Sequence, residues 1–256
     1  MIAPLAGVGR SDVGRKRDFN EDAFAIDLEN GLFAIADGMG GAAAGEVASG
    51  IAIATLTDFI TRTAGTTEPE QRYGWDERLS GQANRLRSAI LLANEKIYRT
   101  IEDHEEMRGM GTTLVAALAR DSGVCVGHVG DSRVYLWRDG QLRQITSDHS
   151  WVNEQVSLGL LSREEASRHP FRNVITRALG SREQVSADVT EVPLSPGDRL
   201  LLCSDGLTNM LDDRRILQIL NAHPGSYEEA TTELIAQANE AGGEDNITVI
   251  VAGLPR

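Results

Sequence analysis

Hydrophobic positions along the chain come in two textures. Two short apolar runs, 23–28 (AFAIDL) and 31–36 (GLFAIA), flank Glu29-Asn30-Gly31. Asn-Gly between apolar runs is hairpin chemistry, because both residues tolerate the positive φ of a tight turn. Residues 43–62, rich in Ala, Ile and Leu, predict a helix, and 64–77 (AGTTEPEQRYGWDE) predict a polar connection. From Leu79 onward, Ala83, Leu86, Ile90, Ala93, Ile97 and Ile101 step by three and four. That spacing predicts a second long helix with one buried face. The runs then shorten: TTLVAALA, GVCVGHVG, RVYLWRDG and QLRQIT are β-rich and punctuated by Gly or Asp, as in an antiparallel meander. Residues 151–172 are mixed and predict a surface flap, with LSREEA as a short capped helix. DVTEVPL and RLLLCSD predict strands, 213–221 and 226–241 helices, and NITVIVAGL a last strand. Strands and helices come in blocks without alternating, which predicts an α+β fold of antiparallel sheets covered by helices, one domain over 1–256.

Composition narrows the function classes. The 256 residues, 41% hydrophobic, suit a layered domain with a sizeable core. A formal net charge of -13 leaves no basic stripe for nucleic acid or an anionic membrane; RSDVGRKRD is the densest basic stretch. No apolar run approaches the roughly 18 residues of a membrane span. MIAPLAGVGR lacks the pattern of a secretory leader. Cys125 and Cys203 sit in separate apolar runs and read as buried free thiols. The expectation is a cytoplasmic monomer.

The candidate chemistry begins at FAIADGMGGAAAGE, where an apolar run ends in Asp37 and glycines follow. Such a place suits an anion on a helix N-terminus or a cation on the aspartate. Asp22 in RDFNEDAF, Asp131 in HVGDSRVYL, Asp205 in RLLLCSDG and Asp245 in EDNITVIV have similar contexts. Taken singly, an aspartate beside a glycine is ordinary turn chemistry. Five carboxylates at sheet edges would repel one another unless cations joined them, and ligands of oxygen alone point to magnesium or manganese.

Taken in order, these segments resemble the metal-dependent (PPM-type, type 2C) Ser/Thr protein phosphatases of bacterial type. SDVGRKRDFNED, ADGMGG, GMGTTL, HVGDSR, TSDHS, NVITRALG, LCSDGLTNML and GGEDNITVIV carry the likeness over nearly the whole chain. The resemblance implies a four-layer α-β-β-α sandwich with a binuclear metal site at one end of the sheets. It matches Asp37 to the carboxylate bridging two metals and Gly38 to a ligand through its carbonyl. It matches Asp205 and Asp245 to ligands of the other metal, and Asp22 to a carboxylate that reaches its metal through water. Asp131 matches a ligand of a third, weaker metal, near which Ser162 could come. Arg17 matches the phosphate-binding arginine. The implied reaction is hydrolysis of phosphoserine or phosphothreonine by a water bridging two Mn2+ or Mg2+ ions, on protein substrates phosphorylated by a cognate Ser/Thr kinase.

One departure concerns the proton donor. Met39 stands where eukaryotic members carry a histidine, and His149 is either a substitute donor or a structural residue at a loop bend. Neither Cys125 nor Cys203 has an arginine six positions on, which excludes a cysteine phosphatase. Two alternatives stand beside the phosphatase. GMGGAA fits a dinucleotide fingerprint but lacks its second parallel strand. A non-catalytic phosphoprotein-binding module of the same fold would be marked by lost ligands.

Overall fold

The computed structural model describes residues 5–40, 44–65 and 73–254. Position 43 of the first expected helix, Gly41 and the two alanines after it in the glycine run, and 66–72 of the polar connection lie outside the described residues. So do the first four residues of the segment read for a leader.

Two antiparallel sheets form the centre. One has the order β2 (Asp22–Asp27), β3 (Leu32–Met39), β5 (Leu114–Arg120), β6 (Gly123–Val129), β9 (Asp188–Pro193), with β4 (Gly111–Thr112) paired to the end of β3. The other runs β1 (Ala6–Asp12), β11 (Ile247–Gly253), β10 (Arg199–Cys203), β7 (Arg133–Arg138), β8 (Gln141–Gln144). The central strands are continuous apolar runs because both of their faces are covered. In β3, Leu32, Ala34 and Ala36 pack under α1 (Ala44–Arg62) and α2 (Gly81–Asp103), while Phe33 and Ile35 point between the sheets. In β11, Val249 and Val251 pack under the second helical layer, whereas Ile250 and Ala252 meet the facing sheet. That layer contains α5 (Asp205–Thr208), α6 (Asp213–Ala222) and α7 (Tyr227–Glu240). Three apolar cores therefore separate four layers, as the α+β sandwich expectation required.

The helix ends follow local chemistry. Ser80 caps α2 by accepting from the Ala83 N–H, Asp212 caps α6 and Ser226 caps α7. In α2, Ala83, Leu86, Ile90, Ala93 and Ile97 are fully buried. The flap carries α3 (Trp151–Ser157) and α4 (Arg163–Ser167); a reciprocal capping box of Ser162 and Glu165 starts the second.

Strand β1 and the end of β3 differ from the sequence expectation. Strand β1 is unexpected, because Gly7 and Gly9 interrupt its pattern. A Cβ on Gly7 would lie 2.6 Å from the Phe33 ring, and one on Gly9 2.8 Å from Phe24, so these glycines let the sheets approach. Strand β3 does not end at Asp37 but continues through Gly38 and Met39, which pair with Thr112 and Gly111. The dinucleotide alternative fails: every ladder among the described residues is antiparallel, and α1 is followed by another helix rather than a parallel strand.

Candidate active site

The antiparallel registers bring the aspartates to one end of both sheets. Asp22 opens β2 and lies opposite Asp37 near the end of β3. Asp131 occupies the turn from β6 to β7, Asp205 follows β10, and Asp245 precedes β11. The Ser204 hydroxyl donates to Asp22 Oδ2 at 2.9 Å and so ties the two sheets together at this edge. Asp37 is fixed through its backbone: its N–H donates to Thr113 Oγ1 at 3.2 Å, and its carbonyl accepts from the Thr113 N–H and the Thr112 hydroxyl.

The electrostatics are those of unneutralised carboxylates. Burial, then the charges of Asp22, Asp205, Asp131 and Asp245, holds the Asp37 carboxyl far above its usual range. Burial raises Asp22 to about 7 against the hydrogen bonds of Thr248 and Ser204, with Asp205 and Asp245 adding to the rise. Asp131 is raised to about 7 by burial and by Asp205 and Asp148. Asp205 is raised by burial and Asp245. Asp22 Oδ1 and Asp131 Oδ1 are buried without a hydrogen-bond partner among the described residues. Buried acceptors left unpaired are costly, so these oxygens call for cations. Divalent Mg2+ or Mn2+ suits a donor set of carboxylates and carbonyls.

Gly38 is required sterically, without a positive φ. A Cβ there would lie 2.2 Å from the Gly45 carbonyl oxygen and 2.5 Å from that of Glu21. Its N–H donates to the Glu21 carbonyl at 3.2 Å. The close approach of β3, α1 and the loop before β2 thus explains the glycine after Asp37.

Arg17 sits on the loop between β1 and β2, and its Nη2 donates to Asp245 Oδ2 at 2.7 Å. This hydrogen bond is the main cause of its raised pKa. Asn246 braces that loop: its Nδ2 donates to the Val13 and Phe19 carbonyls and its Oδ1 accepts from the Glu21 N–H. Asn246, Ser204 and Thr113 are positioning residues that sequence reasoning missed. Only their adjacency to Asp245, to Asp205 and to the GMGTTL motif marked them.

The structure bears on two subsidiary readings. His149 is buried, its Nδ1 accepts from the Gly130 N–H at 3.0 Å, and burial lowers its pKa to about 4, ahead of effects from His128 and Arg177. That arrangement belongs to a neutral structural histidine, not a proton donor. The Ser162 hydroxyl is committed to capping α4, donating to Glu165 Oε2 at 2.7 Å and accepting from the Glu165 N–H.

A family model for protein phosphatase 2C matches residues 8–250. The chain belongs to the protein phosphatase 2C family. This 2C-type protein is 41% identical over 245 residues to serine/threonine phosphatase stp of Listeria monocytogenes, covering 94% of the chain and 93% of the relative. It is 38% identical over 247 residues to protein phosphatase PhpP of Streptococcus pneumoniae, covering 95% of each. The solved serine/threonine phosphatase PstP/Ppp of Mycobacterium tuberculosis superposes on the 2C-type chain with a TM-score of 0.87 at 39% identity, covering 100% of both chains. A PstP catalytic domain in complex with two manganese ions superposes with a TM-score of 0.81 at 38% identity, again over 100% of both.

Proposed function

We infer that this edge of the sandwich is the catalytic centre of a metal-dependent protein serine/threonine phosphatase acting on phosphorylated proteins. The observation that carries the reading is the convergence of five strand-end aspartates, two with orphaned buried oxygens, beside a braced arginine. Asp22, Asp37, the Gly38 carbonyl, Asp205 and Asp245 would hold two cations, and Asp131 a third. Such ions, when bound, supply charge neutralisation for the phosphoryl group and acidify a water.

The residues of the chain do the rest. Arg17 carries a planar fork suited to two phosphate oxygens, and its loop is held by Asn246 before substrate arrives. Its Nη2 meets Asp245 Oδ2 at 2.7 Å, so the guanidinium lies at the edge where the cations would be held. No protein nucleophile is needed. Both cysteines are buried, and burial raises the Cys203 thiol to about 12, ahead of its neighbours' charges. Met39 offers no proton to the leaving oxygen.

The finer reading is a single catalytic domain over 1–256 whose flap at 151–172 selects the substrate. The enzyme works as a cytoplasmic monomer opposing a Ser/Thr kinase, with no nucleic-acid or membrane partner. No described helix is long and apolar enough to cross a membrane.

The test is phosphate release from a phosphothreonine peptide with Mn2+, with Mg2+ and with EDTA, using Asp205→Asn as the blank. Metal-dependent release absent from the variant supports the reading. No release from folded wild-type protein under any condition overturns it.

A further inference from the structure

Beside the carboxylate cluster, His149 and Gly130 close a small ring. The Gly130 N–H donates to His149 Nδ1 at 3.0 Å, and the His149 N–H donates to the Gly130 carbonyl at 3.0 Å. Gly130 has φ +109°, and Asp131 follows it with its orphaned oxygen. The far side of this turn is pinned by Ser132, whose hydroxyl lies 2.7 Å from Thr113 Oγ1, the group that also holds the Asp37 N–H.

An imidazole nitrogen that accepts a backbone N–H cannot carry the ring's proton, so the neutral His149 ring is protonated at Nε2. That atom is buried, makes no hydrogen bond of regular geometry among the described residues, and lies 3.3 Å from Asp188 Oδ2. Arg177 Nη1 in turn donates to Asp188 Oδ1 at 2.7 Å. His128 stacks on the His149 ring with centroids 4.5 Å apart, and its own Nε2 meets the Ser147 carbonyl at 2.9 Å.

His128, His149 and Asp188 offer ligand atoms within 4.8 Å of one another, which suggests a cation cage. The Gly130 bond argues against one. A cation on His149 Nε2 would leave the ring's proton on Nδ1, pointing at the Gly130 N–H.

We propose instead that Asp188 and His149 are a positioning pair that fixes the Gly130–Asp131 turn, and so aims the Asp131 carboxylate at its cation. The proposal rests on reading Asp131 as a metal ligand. Partners just outside the ligands fix ligand orientation, and their loss typically weakens metal binding by about tenfold or more. Asp188 selects the Nε2–H tautomer, which leaves Nδ1 free to accept.

The experiment is calorimetric titration of chelator-stripped protein with Mn2+, for the wild type, Asp131→Asn, Asp188→Asn and Asp188→Glu. Nitrogen NMR of His149 reports the tautomer alongside. Asp188 is half exposed, so its variants are expected to keep the fold, which the melting temperature of each checks. An asparagine can present its amide N–H to Nε2 and drive the proton to Nδ1. Asp131→Asn should abolish the weakest Mn2+ step. Asp188→Asn should weaken that step about tenfold and raise the Nδ1–H signal, and Asp188→Glu should restore both. Loss of the step in Asp131→Asn with wild-type affinity and tautomer in Asp188→Asn overturns the positioning pair alone. An unchanged titration in Asp131→Asn sinks the ligand reading and the pair with it.

Discussion

Replacing Asp131 with asparagine in metal-free protein measures the electrostatic load of the site directly. Asp131 is 9% exposed, and its pKa is raised from 3.8 to about 7 by burial first and then by Asp205 and Asp148. A gap of about 3 pH units, each worth about 1.4 kcal/mol, bounds the cost of ionising it in the fold at about 4 kcal/mol. Asp205 takes up protons in response, so we expect about 2 kcal/mol for Asp131 itself. The folded-state value lies above the unfolded one. The stability this group contributes is therefore fully present below about pH 4 and is lost as pH rises through about 7. Asparagine removes the charge and keeps the shape. In EDTA, Asp131→Asn should match the wild type near pH 4 and exceed it by about 2 kcal/mol at pH 8. The assay is urea unfolding in EDTA across that range. With saturating Mn2+ the order should reverse, because the carboxylate then has a partner. A variant no more stable than wild type at pH 8 in EDTA would refute the cluster as an unneutralised charge.

Other perturbations separate scaffold from chemistry. Arg17→Ala should raise KM for a phosphopeptide about tenfold or more; because it also removes the cation paired with Asp245, Mn2+ binding should be no weaker, and steady-state kinetics with calorimetry check both. Gly38→Ala places a methyl group 2.2 Å from the Gly45 carbonyl oxygen, and thermal unfolding should show a loss of about 3 kcal/mol. Ser162→Ala removes an N-cap and should cost about 1 kcal/mol without changing the Mn2+ titration.

The legible parts of the fold were those where one face of an element is buried over several turns or pairs. The α2 stripe from Ala83 to Ile97 is such a case, as is the hairpin closed at Gly31, whose φ is +66°. Strand β1 escaped because its glycines serve the contact between sheets, and that contact depends on Phe33 and Phe24, which are distant in sequence. The four-residue α5 and seven-residue α3 are too short for a period to register. At the site, the residue types announced cation chemistry and the hairpin brought Asp22 toward Asp37, but no spacing could say that Ser204 reaches Asp22. Asn246 was invisible for the same reason, since its three loop partners lie more than two hundred positions away.

The ladder joining β1 to β11 has a kinetic consequence. Ala6 pairs with Gly253 and Asp12 with Ile247, so the first described strand finds its place only after the last has formed. Closing so long a loop is slow, and it gains nothing until the ladder zips. Asp245 and Asn246 enter on that same final strand, bringing the last carboxylate and the brace of the Arg17 loop together. With β11 undocked, the cation site lacks Asp245 and the Arg17 loop lacks its brace. The cation site is complete only when β11 is docked, and ions that bind the finished site stabilise that docked state.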